Sequence, residues 1–200
     1  MTLDLYDGFL EVGRAIRRPE TLAERWRDRA LLPEDAPPLG VFVALTLTAI
    51  LGLAAYGLTM GMHHGAGGML AAAGKAPLAA GAGWSIALPS LYIVKQKLGS
   101  RLDASTTALA ALITCSFGAL AMLAGAPVSW FFTVAVPVSF VRYLVNFIIF
   151  AGVGVAMTDV FLRVMKHIAP EESRATAFLW LGLVGTLGAE LMVLLDLFDF

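Results

Sequence analysis

The chain has 200 residues, of which 58% are hydrophobic and 14% are charged, and its mean hydropathy is +0.79. Soluble domains are about half apolar and about a quarter charged, so an ordinary soluble domain is excluded and an all-α, multi-pass membrane protein is predicted. The formal net charge of −1 gives no reason to expect nucleic acid as a partner.

Residues 1–38 are predicted to form a cytoplasmic region, and residues 39–200 the transmembrane domain. The first region has apolar residues at helical spacing with arginines and acidic residues between them, which predicts an amphipathic segment. Asp4, Asp7 and Glu11 interrupt the place where a cleavable signal peptide has its apolar run. The segment is expected either to bind the anionic membrane surface or to pack on the protein's own cytoplasmic ends. The residues expected to contact the surface are Arg17, Arg18, Arg25, Trp26 and Arg29.

Five apolar runs approach or exceed the roughly 20 residues that a bilayer-spanning helix needs. They cover residues 39–60, 76–94, 104–123, 138–164 and 175–195. The Gly-rich residues from 61 to 75 are predicted to form a flexible loop outside the membrane.

The stretch APVSWFFTVAVP, residues 126–137, separates the third and fourth spans. A single helix from 127 to 165 would be nearly 60 Å long, about twice the hydrocarbon thickness, so Pro137 is expected to break the chain. We predict an interfacial connection here, with its aromatic rings at the membrane surface. A re-entrant half-helix is the alternative.

Basic residues predict the orientation of the spans, because cytoplasmic connections are rich in Lys and Arg. Lys95, Lys97 and Arg101 lie in the connection at 95–103, whereas Lys75 is the one base in the opposite loops. The N-terminus is therefore predicted to be cytoplasmic and the C-terminus to lie outside.

Short motifs resemble known membrane proteins. LPSLYIVKQKLGSRL, APVSWFF and LVGTLGAEL resemble an uncharacterised group of bacterial multi-pass proteins similar to the Yip1 family. RRPETLAERWRD ahead of five apolar segments resembles the Yip1 plan itself. The resemblance implies five membrane helices behind a cytoplasmic region, in the bacterial inner membrane. It implies no activity, and the final helix ends in MVLLDLFDF instead of the Arg-Pro element of the bacterial group.

Ionisable residues inside the spans are the first candidates for function. Arg142 and Glu190 each lie about one turn inside the outer end of a span, so they are expected at similar depth and in an ion pair. Asn146, four residues after Arg142, would extend this network. Asp159 and Arg163 have helical spacing and are expected to pair with each other. Such networks serve as structural pairs or as a charge relay or ion path.

Small residues mark one face in each of two spans, which favours close helix packing in lipid. These faces carry Gly182, Gly185 and Ala189 in the fifth span, and Thr107, Thr114 and Gly118 in the third. The Thr face could instead line a channel.

The stretch MGMHHGAGGM offers Met62, His63 and His64, whose thioether and imidazole groups suit copper(I). Adjacent histidines need a turned backbone to share an ion, and no second cluster supports the site. A metal is therefore not predicted, nor is any other cofactor. Cys115, the single cysteine, is expected to be a packed thiol.

The known enzyme motifs are missing from the sequence: it has no zinc-binding helix motif, no G-x-S-x-G elbow and no phosphate-binding glycine loop. The prediction is a non-enzymatic membrane-organising or accessory subunit, a scaffold that binds protein partners or its own copies. The alternative is a small oligomeric channel or transporter that uses Arg142, Asn146 and Glu190. A pore lined by the Thr face would favour the channel, and continuous dry helix faces would favour the scaffold.

Overall fold

The computed structural model describes residues 9–10, 12–13, 17–30, 39–97, 104–168 and 174–197. This part of the chain is helical and contains no strand, which confirms the all-α prediction. Its helices are α1 (Pro19–Ala30), α2 (Leu39–Met60), α3 (Gly65–Lys97), α4 (Ala104–Ala135), α5 (Ser139–Ile168) and α6 (Arg174–Leu194).

Three stretches of the described chain are long and apolar enough to cross a membrane. They are Leu39–Ser90, Ala104–Ala135 and Ser139–Ile168, and Phe178–Leu194 is a shorter apolar helix. The first stretch contains α2 and most of α3, so each predicted span overlaps a helix. Transmembrane helices are therefore supported, and the number of five crossings stays a prediction.

Helices α2 and α3 form a hairpin, and the predicted flexible loop at residues 61–75 is wrong. A 3-10 turn at Gly61–His64 reverses the chain, and Gly65 takes the left-handed φ of 74° that favours glycine. A Cβ on Gly57 would lie 2.5 Å from the carbonyl oxygen of Ala72, so the two backbones are in direct contact. This packing stabilises the Gly-rich start of α3 as a helix despite the low helix propensity of glycine.

The predicted interfacial connection and its re-entrant alternative are both wrong, because α4 continues through Pro127 to Ala135. The break lies only at residues 136–138, around Pro137 as expected. A proline inside a membrane helix is tolerated where neighbouring groups satisfy the freed backbone. Beyond Pro127, Ser129 and Thr133 are buried on the side of α4 that faces the bundle interior. This burial explains why the helix extends so far.

The bundle is centred on α4, which packs along α2 on one side and α5 on the other. Helix α6 packs mainly on α3 and contacts α5 little. Trp180 anchors it: the indole Nε1 donates to the carbonyl oxygen of Ala87 at 2.8 Å, and the ring meets Trp84 edge-on at 5.3 Å. Helix α6 is thus held by α3 of the hairpin, and much of its remaining surface is exposed.

The amphipathic helix α1 packs on α4 and α5 through its buried Leu22 and Ala23. This is the second of the two interpretations that the sequence left open. Arg17 and Arg18 are exposed. The side chains of Arg25, Trp26 and Arg29 lie outside the described part, so binding of the membrane surface stays a prediction.

Candidate functional site

Three polar side chains from three helices meet inside the bundle: Tyr56 of α2, Ser129 of α4 and Asn146 of α5. Each is about 1% exposed. The Tyr56 hydroxyl donates to Asn146 Oδ1 at 2.5 Å, and the Ser129 hydroxyl donates to the same oxygen at 2.9 Å. The Asn146 Nδ2 group donates to the carbonyl oxygen of Arg142 at 2.8 Å. We refer to this arrangement as the Asn146 cluster.

Two threonines extend the Asn146 cluster. The Thr59 hydroxyl donates to the carbonyl oxygen of Tyr56 at 2.7 Å and lies 3.3 Å from Ser129 Oγ. The Thr133 hydroxyl donates to the carbonyl oxygen of Ser129 at 2.8 Å. The cluster contains hydroxyls and an amide but no charged side chain, so it supplies hydrogen bonds that join helices and no acid or base.

The sequence pointed to Asn146 but missed Tyr56 and Ser129. Tyr56 stood alone in an apolar span, and Ser129 fell in the stretch interpreted as a connection. One feature of the sequence could have revealed Ser129. It lies four residues before Thr133, and this spacing places both on one face if that stretch is helical.

The expected ion pair between Arg142 and Glu190 does not form. Arg142 Nη2 donates to Ser139 Oγ at 2.9 Å, while its Nε atom is buried without a hydrogen-bond partner. Arg142 meets Asn146 only through its backbone carbonyl. Glu190 is exposed on α6.

The offset between helices explains why these charges do not meet. Helix α6 is placed by the contact of Gly188 with Gly83, where a Cβ on Gly83 would lie 3.5 Å from the Gly188 backbone. Glu190 therefore lies beside about residue 81 of α3, while Arg142 lies one turn beyond the Asn146 cluster. At about 1.5 Å per helical residue, the two charges differ by roughly 20 Å in depth along the bundle.

Asp159 and Arg163 do form an ion pair, with Arg163 Nη2 2.9 Å from Asp159 Oδ2. Both side chains are well exposed on α5. An exposed pair at this spacing adds only about 0.3–0.5 kcal/mol, so its contribution is local to the helix.

The Thr face of α4 is buried inside the bundle. Thr107 and Thr114 are buried, and the Thr114 hydroxyl donates to the carbonyl oxygen of Ala110 at 2.9 Å. A Cβ on Gly118 would overlap the side chain of Met157, so this face packs on α5. Within the described helices it lines no pore.

The small face of α6 differs from the expectation. Gly182, Gly185 and Ala189 are exposed, and a Cβ on either glycine would have no atom within 4 Å. Within the described chain Gly188, not this face, provides the contact with α3, so the predicted helix packing of this face stays a prediction. The face remains uncovered by the described residues.

An apolar groove of about 390 Å³ runs between α5 and α6. Its walls include Phe147 and Met157 of α5 and Gly185 and Gly188 of α6, and Cys115 lies on its floor. Such a lining offers van der Waals contact and no reactive pair.

The three side chains that would suit copper(I), Met62, His63 and His64, lie in the turn of the hairpin. The rings of His63 and His64 are 3.8 Å apart, and His63 Nδ1 is 3.1 Å from the carbonyl oxygen of Met60. Among the described residues, no group of three or more His, Cys, Asp or Glu side chains could hold a metal ion. Met62 is half-buried in the same turn.

The chain matches no protein-family model, no curated protein and no solved structure. The resemblance to the Yip1 family therefore stays a prediction that rests on the short motifs.

Proposed function

We propose that this protein is a non-enzymatic subunit of the bacterial inner membrane that organises a membrane assembly by binding a partner helix or its own copies. The observation that carries the proposal is the uncovered face of α6. Gly182, Gly185 and Ala189 present a small surface, and Glu190 adds a carboxylate one residue further on. Small faces let helices approach closely in lipid, and polar groups in lipid need a partner.

The polar side chains buried within the bundle support the same function. The Asn146 cluster satisfies its own hydrogen bonds, and the Thr face of α4 is buried. A scaffold is expected to have such dry internal faces, whereas a pore needs polar groups that face a path. The alternative, a small oligomeric channel or transporter, would have to form its path between copies, because Arg142 and Glu190 are far apart within one chain.

Leucine substitution on the α6 face tests the proposal. At Gly182 and Gly185 an added Cβ would have no atom within 4 Å, so we expect Gly182→Leu and Gly185→Leu each to leave the monomer folded. Gly152→Leu is the matched control, because Gly152 of α5 is exposed and equally open. In mild detergent, the native protein should have a mass above its 21.2 kDa monomer. The two α6 variants should shift to the monomer, and Gly152→Leu should not.

Two results would contradict this function. A native protein that is monomeric in both mild detergent and lipid nanodiscs, and that purifies with no partner protein that Gly182→Leu or Gly185→Leu displaces, would contradict the proposed assembly. Ion flux through liposomes that contain the pure protein, lost on Glu190→Ala, would favour the channel.

A further inference from the structure

A small polar cavity lies beside the hairpin turn, away from the Asn146 cluster and from the small face of α6. Its volume is about 220 Å³, and its polar side chains are His64, Lys75 and Asp196. The floor is formed by the glycine contact between Gly61 and Gly68. Two opposite charges therefore line one small space at the end of the bundle that is predicted to face outside.

Lys75 and Asp196 do not neutralise each other. No ion pair within 4 Å joins Lys75 to Asp196, although both line this cavity. Lys75 is held on α3, while Asp196 lies in the turn that follows α6. Lys75 and Asp196 therefore reach this space from two different elements.

The turn that carries Asp196 is closed by two backbone hydrogen bonds. Asp196 N–H donates to the carbonyl oxygen of Val193 at 3.0 Å, and Leu197 N–H donates to that of Met192 at 2.9 Å. These are the two bonds of a Schellman motif, and the side chain of Leu197 is buried beneath it. The turn thus places the exposed Asp196 at the edge of the cavity.

Asp196 occupies a position that favours glycine. Its φ of 52° is the only left-handed value of a non-glycine residue in the described chain. Glycine would cap α6 with less strain, since a side chain disfavours this conformation. Aspartate tolerates this conformation better than most side chains, and here it adds a carboxylate to a cavity that Lys75 also lines.

We propose that this cavity binds a small zwitterion, with its anionic group on Lys75 and its ammonium group on Asp196. One molecule that carries both charges can bind both side chains. Its binding costs the translational and rotational entropy of one ligand, whereas two separate ions would lose that of two. Charge-assisted hydrogen bonds supply the specificity. The cavity size restricts the ligand to a free amino acid or a phosphoethanolamine headgroup, and the headgroup is available at the membrane surface.

The test measures lipid retention by the full-length protein. Native protein is reconstituted in nanodiscs of equal parts phosphatidylethanolamine and phosphatidylglycerol, released into mild detergent and analysed by native mass spectrometry. We expect phosphatidylethanolamine to be retained preferentially, because phosphatidylglycerol lacks the ammonium. A second arm titrates glycine and O-phosphoethanolamine into the detergent-solubilised protein by calorimetry, which separates a soluble ligand from a headgroup.

Substitutions assign the binding to the cavity. Asp196→Gly should fold at least as well as the native chain, since glycine suits its φ, yet it should lose the zwitterion. Asp196→Asn and Lys75→Met should each reduce retention about tenfold or more, the loss expected for one hydrogen bond to a charged group. Asp159→Asn and Lys166→Met remove exposed charges elsewhere on α5 and should change nothing.

The outcomes separate the possibilities. Preferential retention that Asp196→Gly abolishes supports the headgroup, and saturable calorimetric binding lost in the same variant supports the free amino acid. Equal retention of both lipids together with no calorimetric binding would overturn the proposal. Binding that Asp196→Gly and Lys75→Met leave unchanged would overturn it as well.

Discussion

Asn146 determines how the polar side chains of the bundle are arranged. Its amide oxygen accepts from two hydroxyls on two other helices, and its nitrogen donates within α5. Tyr56 and Ser129 are buried among apolar residues, where water does not replace a lost acceptor. One side chain therefore joins α2, α4 and α5 at one level of the bundle.

We expect Asn146→Ala to lower the free energy of unfolding by about 1–3 kcal/mol, because it leaves two buried hydroxyls without their acceptor. Tyr56→Phe removes one of these donors, so the double variant should be less destabilised than the sum of the single ones, by about 0.5–2 kcal/mol. Unfolding by a denaturing detergent in mixed micelles measures these energies.

The control for this cycle is Thr158→Ala, whose hydroxyl donates to the carbonyl oxygen of Gly154 within α5. It shares no partner with Asn146, so its effect should add to that of Asn146→Ala. Additive effects of Tyr56→Phe and Asn146→Ala would contradict the hydrogen bond between their side chains.

At the scale of elements, the α2–α3 hairpin depends on glycines that remove side chains from the contact. Gly57 meets the backbone of Ala72, and Gly61 meets that of Gly68. The contact fixes the register of the two helices. It also explains why residues 65–75 form a helix when their composition favours a loop.

Gly57→Ala and Gly74→Ala form a matched pair on this hairpin. An added Cβ at Gly57 would push against backbone, so we expect a loss of about 1–3 kcal/mol in unfolding free energy. Gly74 is exposed with no atom near its missing Cβ, so Gly74→Ala should be neutral or stabilising by up to about 1 kcal/mol. Detergent unfolding compares the two, and equal effects would argue against the close contact.

At the scale of the whole molecule, basic residues predict the orientation in the membrane. The basic residues Lys95, Lys97 and Arg101 predict that the connection at 95–103 faces the cytoplasm. The hairpin turn then faces outside. In the structure α2 and α3 run antiparallel, so the hairpin turn and the end of α3 lie at opposite ends of the bundle, and which end faces the cytoplasm stays a prediction.

Cysteine labelling tests the orientation in a Cys115→Ser background. Gly67→Cys places a thiol at an exposed position near the start of α3, and Gly99→Cys places one in the predicted cytoplasmic connection. An impermeant maleimide added to intact cells should modify position 67 and spare position 99. Permeabilised cells provide the control, in which both should react, and the opposite pattern in intact cells would invert the orientation.

The sequence alone determined the features that depend on neighbours along the chain. Apolar runs located the helices, Pro137 located the break before α5, and the spacing of Asp159 and Arg163 gave their ion pair. Each of these depends on residues at most a few turns apart, where helical geometry fixes the distance.

Only the tertiary structure decided which distant residues meet. The contact of Gly188 with Gly83 sets the height of α6, and that height separates Glu190 from Arg142. Burial of Ser129 against α2 and α5 accompanies the continuation of α4 past Pro127, and it brings Ser129 to Tyr56 and Asn146. The physical reason is that an apolar run specifies a helix but not its axial offset, which close backbone contacts between helices set.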